Sequence, residues 1–110
     1  IGWQYLTLLE TQGTWTNLEE LFLNYCQLGT IGVQHLAKNK SLTKLKKLQL
    51  ASNQITEEGG TDLTKNEVWI NLEELDLQDN ELRCSTLNAI YRNPAWKKLK
   101  TLCLRCTDIV

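Results

Sequence analysis

Cys103-Leu-Arg-Cys106 is the stretch of this 110-residue chain that comes nearest to reactive chemistry, because two cysteines at that spacing form half of a zinc site or a redox dithiol. A zinc site needs a second pair of comparable ligands. The other two cysteines, Cys26 and Cys84, stand far apart in the chain, and the single histidine is His35. No metal site is therefore expected, and no cofactor. Asp76, Asp79 and Arg105 could in principle serve a thiol site with Cys103 and Cys106. Acid–base or nucleophilic work, however, needs a base, a nucleophile and an orienting group within reach of one another. No glycine-rich phosphate loop or nucleophile motif accompanies these residues. No catalytic residues are assigned, and the chain is not expected to be an enzyme.

The elements that must position these side chains follow from a period. Leu18, Leu45, Leu72 and Leu99 stand 27 residues apart, and each opens the phrase leucine, two variable residues, leucine, one variable residue, leucine. The copies continue to Cys26 and Leu28, Asn53 and Ile55, Asn80 and Leu82, and Thr107 and Ile109. Three residues before each opening leucine stand Trp15, Leu42, Trp69 and Trp96, and Asn39, Asn66 and Asn93 share another position. Between the phrases, 28–39, 55–66 and 82–93 place apolar residues at helical rather than alternating spacing. Each unit therefore reads as strand, turn and short helix. Gly32 and Gly59 follow the turn, whereas Thr86 takes that place in the third copy and leaves its helix start less defined.

This phrase and period resemble the leucine-rich repeat family, and the resemblance runs along essentially the whole chain. It implies an α/β solenoid of about four repeats, with a curved parallel β-sheet on the concave side and short helices on the convex side. A single domain, 1–110, would comprise a partial leading repeat over 1–17 and repeats starting at 18, 45, 72 and 99, the last truncated. Ile1-Gly2-Trp3-Gln4-Tyr5-Leu6 echoes the helical residues 31–36, and neither end carries a polar capping repeat, so the chain is expected to be a fragment of a longer array. The 27-residue unit is similar both to the ribonuclease-inhibitor-like class and to the cysteine-containing class found in F-box substrate receptors. Cys26 points to the second, Asn53 and Asn80 to the first.

One such unit cannot bury its strand and helix leucines alone, so neighbours must stack over a shared core. By the two-residue strand period, Leu21 and Leu23, Leu48 and Leu50, Leu75 and Leu77, and Leu102 and Leu104 point inward. Trp15, Trp69 and Trp96, at one slot, are expected to stack in that core. Asn53 and Asn80 are expected to form a ladder with the carbonyls of adjacent turns, a role that Thr107 can share and Cys26 only weakly. Cys84, Cys103 and Cys106 are read as free thiols. With no cysteine cluster of the kind that caps extracellular repeat proteins, a reducing, cytoplasmic setting is expected. A composition 42% hydrophobic and 23% charged is ordinary for a globular chain, and no apolar run approaches membrane-spanning length. No membrane partner is expected.

The outward residues of the sheet carry the functional reading. Glu19-Glu20, Lys46-Lys47, Glu73-Glu74 and Lys100-Thr101 alternate in sign from strand to strand, as a self-neutralising ladder would. Such a ladder, with a net charge of -1, makes a poor nucleic-acid surface. Three further columns are Phe22, Gln49, Asp76 and Cys103; Asn24, Ala51, Gln78 and Arg105; and Tyr25, Ser52, Asp79 and Cys106. Aromatic and arginine side chains dominate protein-binding hot spots. Phe22, Tyr25, Gln49, Asp76, Asp79 and Arg105 are therefore the candidate partner-binding residues. The resemblance implies a protein-binding scaffold that uses its concave face. The alternative is a recognition or autoinhibitory region of a larger effector, sensor or ubiquitin-ligase subunit. The expected partner is another protein, and the oligomeric state is left open.

Overall fold

The computed structural model describes residues 15–105, so all but the last three residues of the leading unit, and Cys106 and Thr107, lie outside the described residues. Four short strands, β1 (Glu20–Phe22), β2 (Lys47–Gln49), β3 (Glu74–Asp76) and β4 (Thr101–Cys103), form one parallel sheet in chain order. Helices α1 (Gly29–Ala37), α2 (Glu57–Leu63) and α3 (Cys84–Arg92) make the three crossovers. The pairing register follows the period: Leu21 lies beside Leu48, Leu48 beside Leu75 and Leu75 beside Leu102. A constant shift of 27 residues per strand keeps equivalent side chains on the same face throughout.

Burial follows the same period. Leu21, Leu23, Leu48, Leu50, Leu75 and Leu77 are buried, and the helix residues Val33, Leu36, Leu63 and Ile90 close over them. Leu102 and Leu104, on the last described strand, are only partly covered. The helices approach closely where side chains are missing. A Cβ on Gly59 would lie 2.7 Å from Val33 Cγ1, and one on Gly60 would lie 2.7 Å from Leu82 Cδ2 and 3.0 Å from Thr86 Oγ1. Thr86 thus does not disturb its helix. It occupies room that Gly60 leaves, is 1% exposed, and donates its hydroxyl to Glu57 Oε1.

Two asparagine columns satisfy the turns. Asn53 Oδ1 accepts from Cys26 N at 3.0 Å and Leu28 N at 3.2 Å, while its Nδ2 donates to Leu23 O and Ala51 O. Asn80 repeats this one unit along, accepting from Asn53 N and Ile55 N and donating to Leu50 O. Cys26 contributes only a long sulfur contact, Sγ to Asn24 O at 3.4 Å. The second column lies where helix returns to strand. Asn66 Oδ1 accepts from Val68 N and Trp69 N and its Nδ2 donates to Ala37 O; Asn93 donates to Thr64 O and Asn66 O. Each amide therefore ties its own turn to the preceding unit.

The tryptophan column divides. Trp69 and Trp96 are buried and stack with ring centroids 6.2 Å apart and planes 12° from parallel. Trp15, expected in the core, is instead 44% exposed. Its successor in the column is Leu42 rather than another indole, so it has no flat ring to stack on.

Candidate functional site

The strand register brings the first outward column together as expected: Phe22 pairs with Gln49, Gln49 with Asp76, and Asp76 with Cys103. Parallel neighbours lie roughly 4.8 Å apart, so these four side chains form a line across the sheet. Phe22 is 54% exposed, a large apolar ring on an open face. Gln49 is less free than its position implies, because its Oε1 accepts from Asn24 Nδ2 at 2.7 Å. Asn24 in turn accepts from Ala51 N, so it braces the end of the strand instead of facing outward. Asp76 Oδ1 accepts from Gln78 N at 3.0 Å, which leaves its second oxygen for a ligand. Arg105 is exposed at the far side of the face.

Tyr25, Ser52 and Asp79 lie where the chain leaves each strand, and all three are left-handed, with φ of 59°, 57° and 55°. Gln27 and Gln54 repeat the conformation two residues later, at 55° and 60°. Left-handed residues at alternate positions turn successive N–H groups toward one side, the concavity known as a nest. Asn53 Oδ1 fills the nest made by Cys26 and Leu28. Asp and Ser suit this backbone, since short polar side chains tolerate it, but a tyrosine there is strained by about 1 to 2 kcal/mol. Tyr25 is nevertheless 79% exposed and makes little packing in return.

Beside this turn lies a shallow depression of about 400 Å³ lined by Tyr25, Ser52, Gln54, Asp79, Asn80 and Glu81. Ser52 Oγ donates to Asp79 Oδ2 at 2.7 Å across its floor. Gln54 and Glu81 were not singled out from the sequence. The signal was present, for Gln27, Gln54 and Glu81 recur at the 27-residue spacing, two residues beyond the Tyr25 column, and all three are exposed.

The charge ladder forms. Lys46 Nζ lies 3.4 Å from Glu19, Lys100 Nζ lies 3.6 Å from Glu73, and Lys47 Nζ lies between Glu20 at 3.8 Å and Glu74 at 3.9 Å. All these groups are substantially solvated, so each pair contributes at most about 1 kcal/mol. Their weight lies in register, since a one-residue slip would leave half of these charges opposite a leucine.

Among the described residues no group of three His, Cys, Asp or Glu side chains could hold a metal ion. Cys26 and Cys103 are free and partly buried. Cys84 is disulfide-bonded, which corrects the expectation of a free thiol. Among the described residues no helix is long and apolar enough to cross a membrane.

Comparison with known families finds two profiles, both described as leucine-rich repeat, that match the chain: one over residues 17–39 and 71–93, the other over 41–67. Together they span about two thirds of the sequence, each match beginning within a few residues of an opening leucine. No curated protein matches the chain.

Proposed function

The chain belongs to the leucine-rich repeat family, and from that premise we propose that it is a scaffold binding a partner protein on the outward face of its parallel sheet, with no chemistry of its own. Repeats of this family generally serve as protein-interaction scaffolds. Tyr25 carries the reading for this chain. It is a large aromatic side chain held on a left-handed backbone, almost fully exposed, with Phe22 exposed on the adjoining strand. Unfavourable backbone geometry persists where the surrounding fold over-determines it, and it clusters at ligand-binding positions. Here the next two repeats place Ser52 and Asp79 in the same conformation, so a tyrosine is not needed to make the turn.

The binding surface is Phe22, Tyr25 and Gln49, continuing to Asp76 and Asp79 and ending at Arg105. Aromatic side chains supply contact area at low entropic cost, and the acids and the arginine set specificity around them. The test compares the chain with a Phe22→Ala/Tyr25→Asn/Arg105→Glu variant in capture from native lysate, with bound proteins identified by mass spectrometry. A partner retained by the parent and lost by the variant, at a denaturation midpoint no lower than the parent's, is the expected result. Equal capture of every bound protein by both would refute the assignment of this face.

A further inference from the structure

The sheet face is not uniform along the solenoid, and its gradient describes its occupant. At β1 it is aromatic, with Phe22 and Tyr25 exposed. At β2 it is neutral and low, since Gln49 is tied to Asn24 and Ser52 to Asp79. At β3 it is acidic, with Asp76, Asp79 and, on the rim, Glu81. The lysines nearest these acids are engaged elsewhere, Lys47 with Glu20 and Glu74 and Lys100 with Glu73. Among the described residues none of Asp76, Asp79 or Glu81 forms an ion pair. The next outward column position on the far side is Arg105, which bounds the negative stretch.

Two strand spacings separate Phe22 from Asp76, and the same two separate Tyr25 from Asp79. At roughly 4.8 Å per strand the aromatic and acidic pairs lie about 10 Å apart, and a polyproline II segment, at about 3.1 Å per residue and three residues per turn, covers that distance in three residues with both side chains on one face. We propose that this face takes an extended, polyproline II-like segment of a partner protein that crosses the strands, setting an apolar or aromatic residue on Phe22 and Tyr25 and a lysine or arginine three positions away on Asp76 and Asp79. This rests on the binding role given to the sheet face above and adds the chemistry of the occupant. Charge complementarity selects a cation over a neutral or acidic residue at the second position. The low, internally bonded β2 side chains leave the path between the two contacts open.

The test uses a random peptide library displayed on phage and selected on the whole chain. Recovered peptides are resynthesised with a fluorophore and measured by polarisation. The expected result is enrichment of sequences pairing an apolar or aromatic residue with Lys or Arg three positions away, in either direction. Exchange of that basic residue for Glu should weaken binding at least about five-fold, an effect that shrinks as salt is raised toward about 0.5 M. The Asp76→Asn/Asp79→Asn variant keeps an oxygen to accept from Gln78 N and Ser52 Oγ, so it should abolish this charge preference while leaving circular dichroism unchanged. Peptides without a basic residue, or peptides indifferent to that variant, would overturn the proposed occupant. If such peptides still lose binding to a Phe22→Ser/Tyr25→Asn variant, the sheet face survives as the site. Peptides that bind every variant alike would overturn both readings, and a selection that enriches nothing would overturn the extended-segment proposal.

Discussion

Asn53→Ala should be among the most destabilising single substitutions in the chain, although it removes only an amide. Asn53 is fully buried, and its side chain fills all four of its hydrogen-bonding places: two backbone N–H groups donate to its oxygen and its nitrogen donates to two carbonyls. Truncation would not orphan all four partners, because Ala51 O keeps the bond from Tyr25 N at 3.0 Å. Cys26 N, Leu28 N and Leu23 O lose theirs. Three backbone groups left without this partner, two of them buried and Cys26 N partly so, at about 1 to 1.5 kcal/mol each, give a loss of roughly 3 to 4.5 kcal/mol. That is a large share of the 5 to 15 kcal/mol typical of a folded domain. Urea unfolding, followed by fluorescence of the buried Trp69–Trp96 pair, reads the loss directly. Asn24→Ala is the internal control: its partly buried amide makes two bonds, to Gln49 Oε1 and from Ala51 N, and its removal should cost only about 1 kcal/mol. Asn53→Thr should recover part of the loss, since a hydroxyl retains one acceptor and one donor. An Asn53→Ala cost below about 1 kcal/mol, or no greater than that of Asn24→Ala, would refute the claim that the amide column holds the turns together.

Three further outcomes are expected. Lys47→Glu would place three carboxylates in a row across β1, β2 and β3 and should destabilise by about 1 kcal/mol at low salt, with the penalty fading near 1 M NaCl; a salt-independent loss would mean the lysine acts through packing. Alkylation of the denatured, unreduced protein should modify Cys26 and Cys103 and spare Cys84 until reductant is added, which peptide mapping would show; early labelling of Cys84 would remove the bond from the account. Tyr25→Asn should raise stability by about 0.5 to 1 kcal/mol, because Asn tolerates a left-handed φ better than Tyr, while binding on the sheet face weakens. A variant that loses stability instead would show that the tyrosine ring packs more than its exposure suggests.

How much of this was readable in the chain depended on what a period can report. A repeat distance states that equivalent residues share an environment, so the 27-residue spacing transferred directly into strand register, the inward leucines and the charge ladder. Asn53 and Asn80 were legible for the same reason, since a polar residue at a recurring buried slot must find recurring partners. Asn39, Asn66 and Asn93 recur just as regularly, yet spacing alone did not tell that their amides hold the return from helix to strand. Apart from the Ser41 hydroxyl on Asn39, their partners are backbone groups, which leave no letter in the sequence.

Trp15 and Tyr25 mark the opposite limit, where one residue type breaks the equivalence that its position promises. Trp15 shares a slot with Trp69 and Trp96, but stacking is a property of pairs, and only the latter two are consecutive in that column. Tyr25 shares a left-handed turn with Ser52 and Asp79, and only there does the backbone hold a bulky ring. A departure in the first case means a missing neighbour, and the residue falls to the surface passively. In the second the neighbours are present and the turn closes with the same bonds, Tyr25 N to Ala51 O and Ser52 N to Gln78 O, both 3.0 Å. Identical backbone bonding at the two positions means that the tyrosine ring is not demanded by the fold, and that is why the binding role is assigned to Tyr25 rather than to Trp15, the exposed aromatic residue of the preceding unit.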